Sequence, residues 1–193
     1  MMKIKRLILI LATLFGAGLA SGQDTAWRGE IMLGGGYLED PGKAYGFLQA
    51  RGSFYEDDAF RHSLFLEYLG HVDDAVLEFP AFGKGGFFED GDITFSNITV
   101  NYELEAKLDF GVSLYAGAGA GLELISLDDR FNFSFDSDSN FVSQIFAGVR
   151  INFGPVWGQL GLRYLFREDF SLLGDQFKTN DSVAYELSVS FEF

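Results

Sequence analysis

The stretch Asp181-Ser182-Val183-Ala184-Tyr185-Glu186-Leu187-Ser188-Val189-Ser190-Phe191-Glu192-Phe193 alternates without interruption. One side carries Val183, Tyr185, Leu187, Val189, Phe191 and Phe193; the other carries Ser182, Ala184, Glu186, Ser188, Ser190 and Glu192. A period of two is the signature of a β-strand with one apolar face. The run is longer than an ordinary soluble strand and suits a tilted strand that crosses a membrane.

The same period recurs upstream in seven further segments. They are Trp27–Leu38, Ala44–Tyr55, Arg61–Val72, Ile93–Glu105, Phe110–Leu124, Phe141–Phe153 and Val156–Phe166. In most of them an apolar face opposes a polar one, as with Leu64, Leu66, Tyr68 and Val72 against Ser63, Glu67 and His71. The second segment is ambiguous, with only Gln49 and Arg51 marking its polar side. Short connections fall near Glu56–Phe60, Ala106–Asp109 and Gly154-Pro155. Longer ones fall near Asp73–Gly91, Ser126–Asn140 and Arg167–Thr179, while Glu39–Lys43 is short. An even strand number with short turns at one end and long loops at the other predicts an all-β, eight-stranded antiparallel up-and-down transmembrane β-barrel.

The N-terminus fits export. Lys3, Lys5 and Arg6 precede the apolar run Leu7–Phe15, and small residues follow from Gly16 to Gly22. This is a secretory signal peptide over residues 1–22, with the barrel over 23–193. Cleavage is expected before Gln23, with a cut after Ala20 as the alternative. No later apolar run reaches the ~20 residues of a membrane helix, so any span must be a closed barrel.

The exported chain keeps 11 basic residues against 28 acidic ones, a formal charge of −17. That excludes nucleic acid as a partner, which requires a basic face. The chain has no cysteine, hence no disulfide or thiolate chemistry. Its 22 Phe and 8 Tyr favour strands.

Which face points outward separates a membrane barrel from a soluble one. Away from the strand ends the polar face carries Arg28, Arg51, Arg150 and Arg163 against Glu30, Glu67, Glu103 and Glu186. Equal numbers of each sign, in so acidic a chain, point to a closed lumen where an unpaired charge costs several kcal/mol. Eight strands leave room inside only for side chains. Gly111, Gly117, Gly119 and Gly121 are expected to clear space for the long ones.

Tyr185, Leu187, Val189, Phe191 and terminal Phe193 resemble the C-terminal signature of bacterial outer-membrane barrels. With the signal peptide, the chain resembles the small eight-stranded family that includes the OmpA transmembrane domain, OmpX and OmpW. The segments Tyr115–Gly121 and Gly161-Leu162-Arg163-Tyr164 share that character. The resemblance implies recognition of the last strand by the barrel-insertion machinery and residence in outer-membrane lipid and lipopolysaccharide. No peptidoglycan-binding domain follows the barrel, so a wall-tethering role is not implied.

Other motifs carry less. Asp136-Ser137-Asp138-Ser139-Asn140 matches the opening of a calcium loop but lacks its turn glycine, with Ala147 where the bidentate Glu belongs. Asp128, Asp129, Asp136 and Asp138 crowd one loop, which reads as a solvated acidic tip before it reads as a divalent-ion site. His71 lies near Asp73 and Asp74, the one arrangement resembling lipid A-modifying barrels, yet no serine stands at a recognisable spacing. His62 belongs to the opposite end. No cofactor, metal or catalytic site is expected. Phe79, Phe82, Phe87, Phe88, Phe131, Phe133 and Phe135 place apolar groups on outer loops, a candidate surface for an extracellular partner.

Four functions compete: a structural or surface-interaction barrel acting through its outer loops, a narrow channel or route for small hydrophobic solutes, a lipid A-modifying enzyme, and a soluble periplasmic ligand-binding barrel. The first accounts for the most residues.

Overall fold

A computed structural model describes residues 28–40, 42–79, 87–128, 138–172, 175–177 and 181–193. The signal peptide and Trp27 lie outside the described residues. So do Asp129, Asp136, Phe82, Phe131, Phe133 and Phe135.

The barrel strands are β1 (Arg28–Leu38), β2 (Lys43–Glu56), β3 (Phe60–Phe79), β4 (Phe87–Lys107), β5 (Val112–Asp128), β6 (Asp138–Asn152), β7 (Val156–Arg167) and β10 (Ser182–Glu192). They form one closed antiparallel barrel in the order β1-β10-β7-β6-β5-β4-β3-β2. Consecutive barrel strands are neighbours throughout, and β10 closes onto β1 from Glu30↔Glu192 to Leu38↔Ala184. The seam continues past the strands, where Phe193 N–H donates to the Gly29 carbonyl at 2.9 Å and Gly29 N–H to the Phe193 carbonyl at 3.1 Å. Closure leaves no unpaired edge, the condition a strand must meet in lipid.

Two departures from the sequence pattern concern the outer end. Asp73–Gly91, which reads as a loop, is mostly a hairpin, with β3 and β4 paired out to Phe79↔Phe87. At 20 and 21 residues these strands are about twice the length needed to cross a bilayer. Acidic residues and glycines mask the strand signal there because the barrel no longer imposes an apolar outer face. The connection Arg167–Thr179 likewise contains a small hairpin, β8 (Phe170–Leu172) with β9 (Asp175–Phe177).

The wall is apolar outside. Leu33, Val100, Leu160, Leu162 and Leu187 are all more than half exposed. Exposed aromatics gather at both ends of the wall: Tyr37, Phe141, Phe166 and Tyr185 toward the long connections, and Phe54, Tyr55, Phe60, Phe153 and Phe193 toward the short turns. An apolar band between aromatic girdles is the exterior of a membrane barrel.

The ambiguous second strand is explained by its inward face, which carries Tyr45 and Phe47 as well as Gln49, Arg51 and Ser53. A bulge between Ser53 and Tyr55 then turns both Phe54 and Tyr55 outward.

The β5 glycines serve neighbours other than the long charged chains. A Cβ on Gly117 would collide with the Tyr102 carbonyl of β4 and with the Phe146 ring, and one on Gly119 would stand 2.5 Å from the Asn101 amide carbon. Gly121 admits the backbone of β4, with Thr99 Cα at 2.7 Å. Gly111 sits in the β4–β5 turn at φ +72°, where a side chain is strained. On β1, Gly36 lies under the Tyr45 ring. In the strand order β1 and β5 are diametrically opposed, so glycine-rich strands on two sides make room for aromatic rings and the polar groups between them.

Candidate functional site: the lumen

The lumen is filled in layers. Nearest the inner mouth, Arg51 grips Glu103 through two hydrogen bonds, 2.5 and 3.0 Å. Arg150 donates to Glu105 at 2.7 Å and to Glu30. Arg61 joins from β3, 3.8 Å from Glu105 and 3.2 Å from Glu56. The guanidiniums of Arg61 and Arg150 lie over the Trp157 ring, and that of Arg51 lies over Phe65.

A second layer centres on Arg163, which reaches Glu67 through Nη1 and, at 2.7 Å, through Nη2. Its Nε is 2.7 Å from Glu186. Glu67 also accepts from Gln49 at 2.6 Å and from Gln144 at 2.9 Å. Gln144 donates further to Asn101 at 2.5 Å, and the Tyr45 hydroxyl donates to Glu186 at 2.6 Å. Side chains from β2, β3, β4, β6, β7 and β10 thus meet at one level and close the bore. Glu67 is fully engaged because each of its oxygens has two or more donors.

Above this plug the character changes. Leu38, Phe47, Leu69, Val142, Leu165 and Ala184 join Met32 and Tyr45 in an apolar cluster drawn from β1, β2, β3, β6, β7 and β10. At the outer end Arg167 donates to one oxygen of Glu123 at 2.9 and 2.6 Å. His71 stacks on Phe95 at 4.7 Å, and the Arg167 guanidinium lies 5.1 Å from the same ring.

Of the eight residues the sequence singles out, the structure brings seven into the buried network: Glu30, Arg51, Glu67, Glu103, Arg150, Arg163 and Glu186. Arg28 is the exception. Its side chain is half exposed at the inner rim, beside Glu192 at 3.1 Å and Glu56 at 3.7 Å. Alternation places it on the polar face, but depth along the barrel puts it at the mouth. A restriction to strand centres misses Arg61, Glu105, Glu123 and Arg167, and all four are buried or half-buried in the lumen. Among the described residues every buried cation is an arginine, whose planar fork can hold two carboxylate oxygens and stack on a ring at once.

The remaining candidates resolve by position. His71 is buried in the lumen, not on the lipid-facing rim. His62 faces outward near the inner end, hydrogen-bonded through Nδ1 to the Tyr102 hydroxyl at 2.7 Å. Asp138, Ser139 and Asn140 belong to β6 and pair with Ile125, Leu124 and Glu123, so they are strand and not ion-binding loop. Among the described residues, no group of three His, Cys, Asp or Glu is placed to hold a metal ion. In the β2–β3 turn, Asp57 accepts from the Phe60 and Ala59 amides at 2.7 and 2.8 Å, which holds its carboxyl below the usual aspartate range.

No protein-family model and no curated protein matches the chain. Solved structures do. Neisserial surface protein A aligns with a TM-score of 0.52 at 14% identity, covering 86% of this chain and 96% of that one. The fold is that of the small outer-membrane β-barrels. A major outer membrane protein from Thermus thermophilus gives 0.52 at 15% identity, covering 87% of this chain and 100% of that one. Outer membrane protein H of Pseudomonas aeruginosa gives 0.50 at 16% identity over the same shares. Identity this low attests to shared architecture only, and the closed barrel is what these proteins have in common with this chain.

Proposed function

We propose that this chain resides in a bacterial outer membrane, after loss of residues 1–22, as a closed barrel with a structural or surface-interaction role carried by its outer end. The observation that carries this reading is the plug around Arg163, Glu67 and Gln144, set inside a wall whose exterior is apolar. A bore crossed by such hydrogen bonds does not serve as a pore, and the chemistry left for activity lies on the segments beyond the bilayer. Lipid and lipopolysaccharide are the surrounding partners. The outward row Tyr185, Leu187, Val189, Phe191 and Phe193, exposed along the closing strand, suits recognition by the barrel-insertion machinery. The long β3–β4 hairpin supplies the reach for an extracellular partner.

Reconstitution into planar lipid bilayers tests this reading. Wild-type protein is expected to show no sustained ion conductance, with heat-modifiable gel migration and recovery in the outer-membrane fraction. A stable open state would overturn the closed-lumen reading, and recovery in the periplasm would overturn the membrane one.

A further inference from the structure

Asn97, Glu123 and Asn140 form one row across three adjacent strands. Asn97 on β4 is in direct register with Glu123 on β5, and Glu123 with Asn140 on β6. All three share the lumen face, so neighbouring Cβ atoms stand about 5 Å apart. Asn97 is 2% exposed and Glu123 is fully buried. Among the described residues, neither Asn97 Nδ2 nor Asn97 Oδ1 has a hydrogen-bond partner, nor does Glu123 Oε2 or Asn140 Nδ2.

Among the described residues, Asn97 is the one buried side-chain amide with both polar atoms open. In the inner lumen Asn101 both donates and accepts, and the open atoms there belong to groups engaged through another atom: the Nε atoms of Arg51, Arg61 and Arg150, Oε1 of Glu105 and Nε2 of Gln159. Native interiors rarely leave a whole buried amide unpaired, and where they do, an unseen water or ligand is a standard reason. From this row we infer a binding site in the outer lumen for a small neutral solute bearing hydroxyl or amide groups.

The chemistry selects the class. Two amide NH2 groups ask for acceptors, while the Asn97 and Glu123 oxygens ask for donors. A hydroxyl or an amide offers both. Arg167 occupies Glu123 Oε1 and balances its charge, so neither a cation nor an anion is favoured. Leu69 flanks Asn97 on β3, with Val142 and Ile125 buried close by, which suits a ligand with some hydrocarbon surface. Below, Gln144 is tied to Thr99, Asn101 and Glu67, closing the site toward the inner mouth. Occupancy therefore requires no passage through the barrel and does not rest on a transport role.

The test uses the full barrel refolded in detergent micelles, with glycerol and acetamide as probes. Side-chain amide resonances of Asn97 and Asn140 are followed by NMR during titration. Saturable shifts of both are expected with each probe, and no comparable shifts with acetate or tetramethylammonium. Asn97→Leu is expected to raise the midpoint concentration at least tenfold while preserving heat-modifiable migration. If Asn97→Leu fails to fold, Asn140→Leu provides the same comparison through the Asn97 amide. Unmoved resonances, as for a site holding water alone, would overturn the inference. So would shifts that rise linearly without saturation, or that ions reproduce.

Discussion

The inner and outer halves of the lumen are built on different principles. In the inner half and the central plug, guanidiniums and carboxylates are interlocked, with Glu103, Glu105 and Glu67 each held by arginine. In the outer half hydrocarbon side chains stand beside a row of polar atoms that have no partner among the described residues. An ion network is expensive to assemble and more expensive to break, because removing one member strands its partner in a medium that cannot solvate it. An apolar cluster beside unpaired amides carries the opposite liability, since its polar members cost stability as they stand. The inner half therefore specifies and locks the barrel, and the outer half is where the lumen has binding capacity in reserve.

The contrast breaks most sharply at Arg163. Arg163→Ala strands both Glu67 and Glu186 and is expected to lower unfolding stability by roughly 3–5 kcal/mol, read from urea titrations in lipid vesicles. Next in size, Gly117→Val presses on the Tyr102 carbonyl and the Phe146 ring and is expected to cost about 1–3 kcal/mol in the same titration, with a shift in the near-UV aromatic signal. In the outer half the sign reverses. Asn97→Leu removes an unpaired buried amide and is expected to be neutral or stabilising by about 1 kcal/mol, whereas a loss comparable to that of Arg163→Ala would erase the distinction between the halves. The smallest effect belongs to the rim, where Arg28→Ala exchanges half-exposed ion pairs for water and is expected to cost less than ~1 kcal/mol.

Much of this is legible in the sequence, for a physical reason. A barrel in lipid needs an apolar exterior on every strand, so alternation survives wherever the wall meets the bilayer, as in Tyr185, Leu187 and Val189. Legibility fails where that demand is lifted. On β2 the inward Tyr45 and Phe47 are as apolar as the outward Leu48, so the strand shows no contrast between its faces. Beyond the bilayer β3 and β4 continue as a hairpin whose Asp and Gly residues resemble a loop. Alternation also fixes the face and not the depth, which is why it groups Arg28 with the network and why strand centres alone leave out Arg61, Glu105, Glu123 and Arg167. The unpaired row of Asn97, Glu123 and Asn140 has no local signal, because its meaning lies in register across three strands and in partners that are missing.

The central claim is that the polar face is inside and the apolar face meets lipid. Nuclear Overhauser contacts between lipid acyl chains and protein methyl groups, measured in lipid nanodiscs, test it most directly. Contacts are expected at the outward methyls of Leu160, Leu162, Leu187 and Val189, and none at those of Leu165 and Val142. Acyl contacts at Leu165 and Val142, or their absence from the outward set, would contradict it.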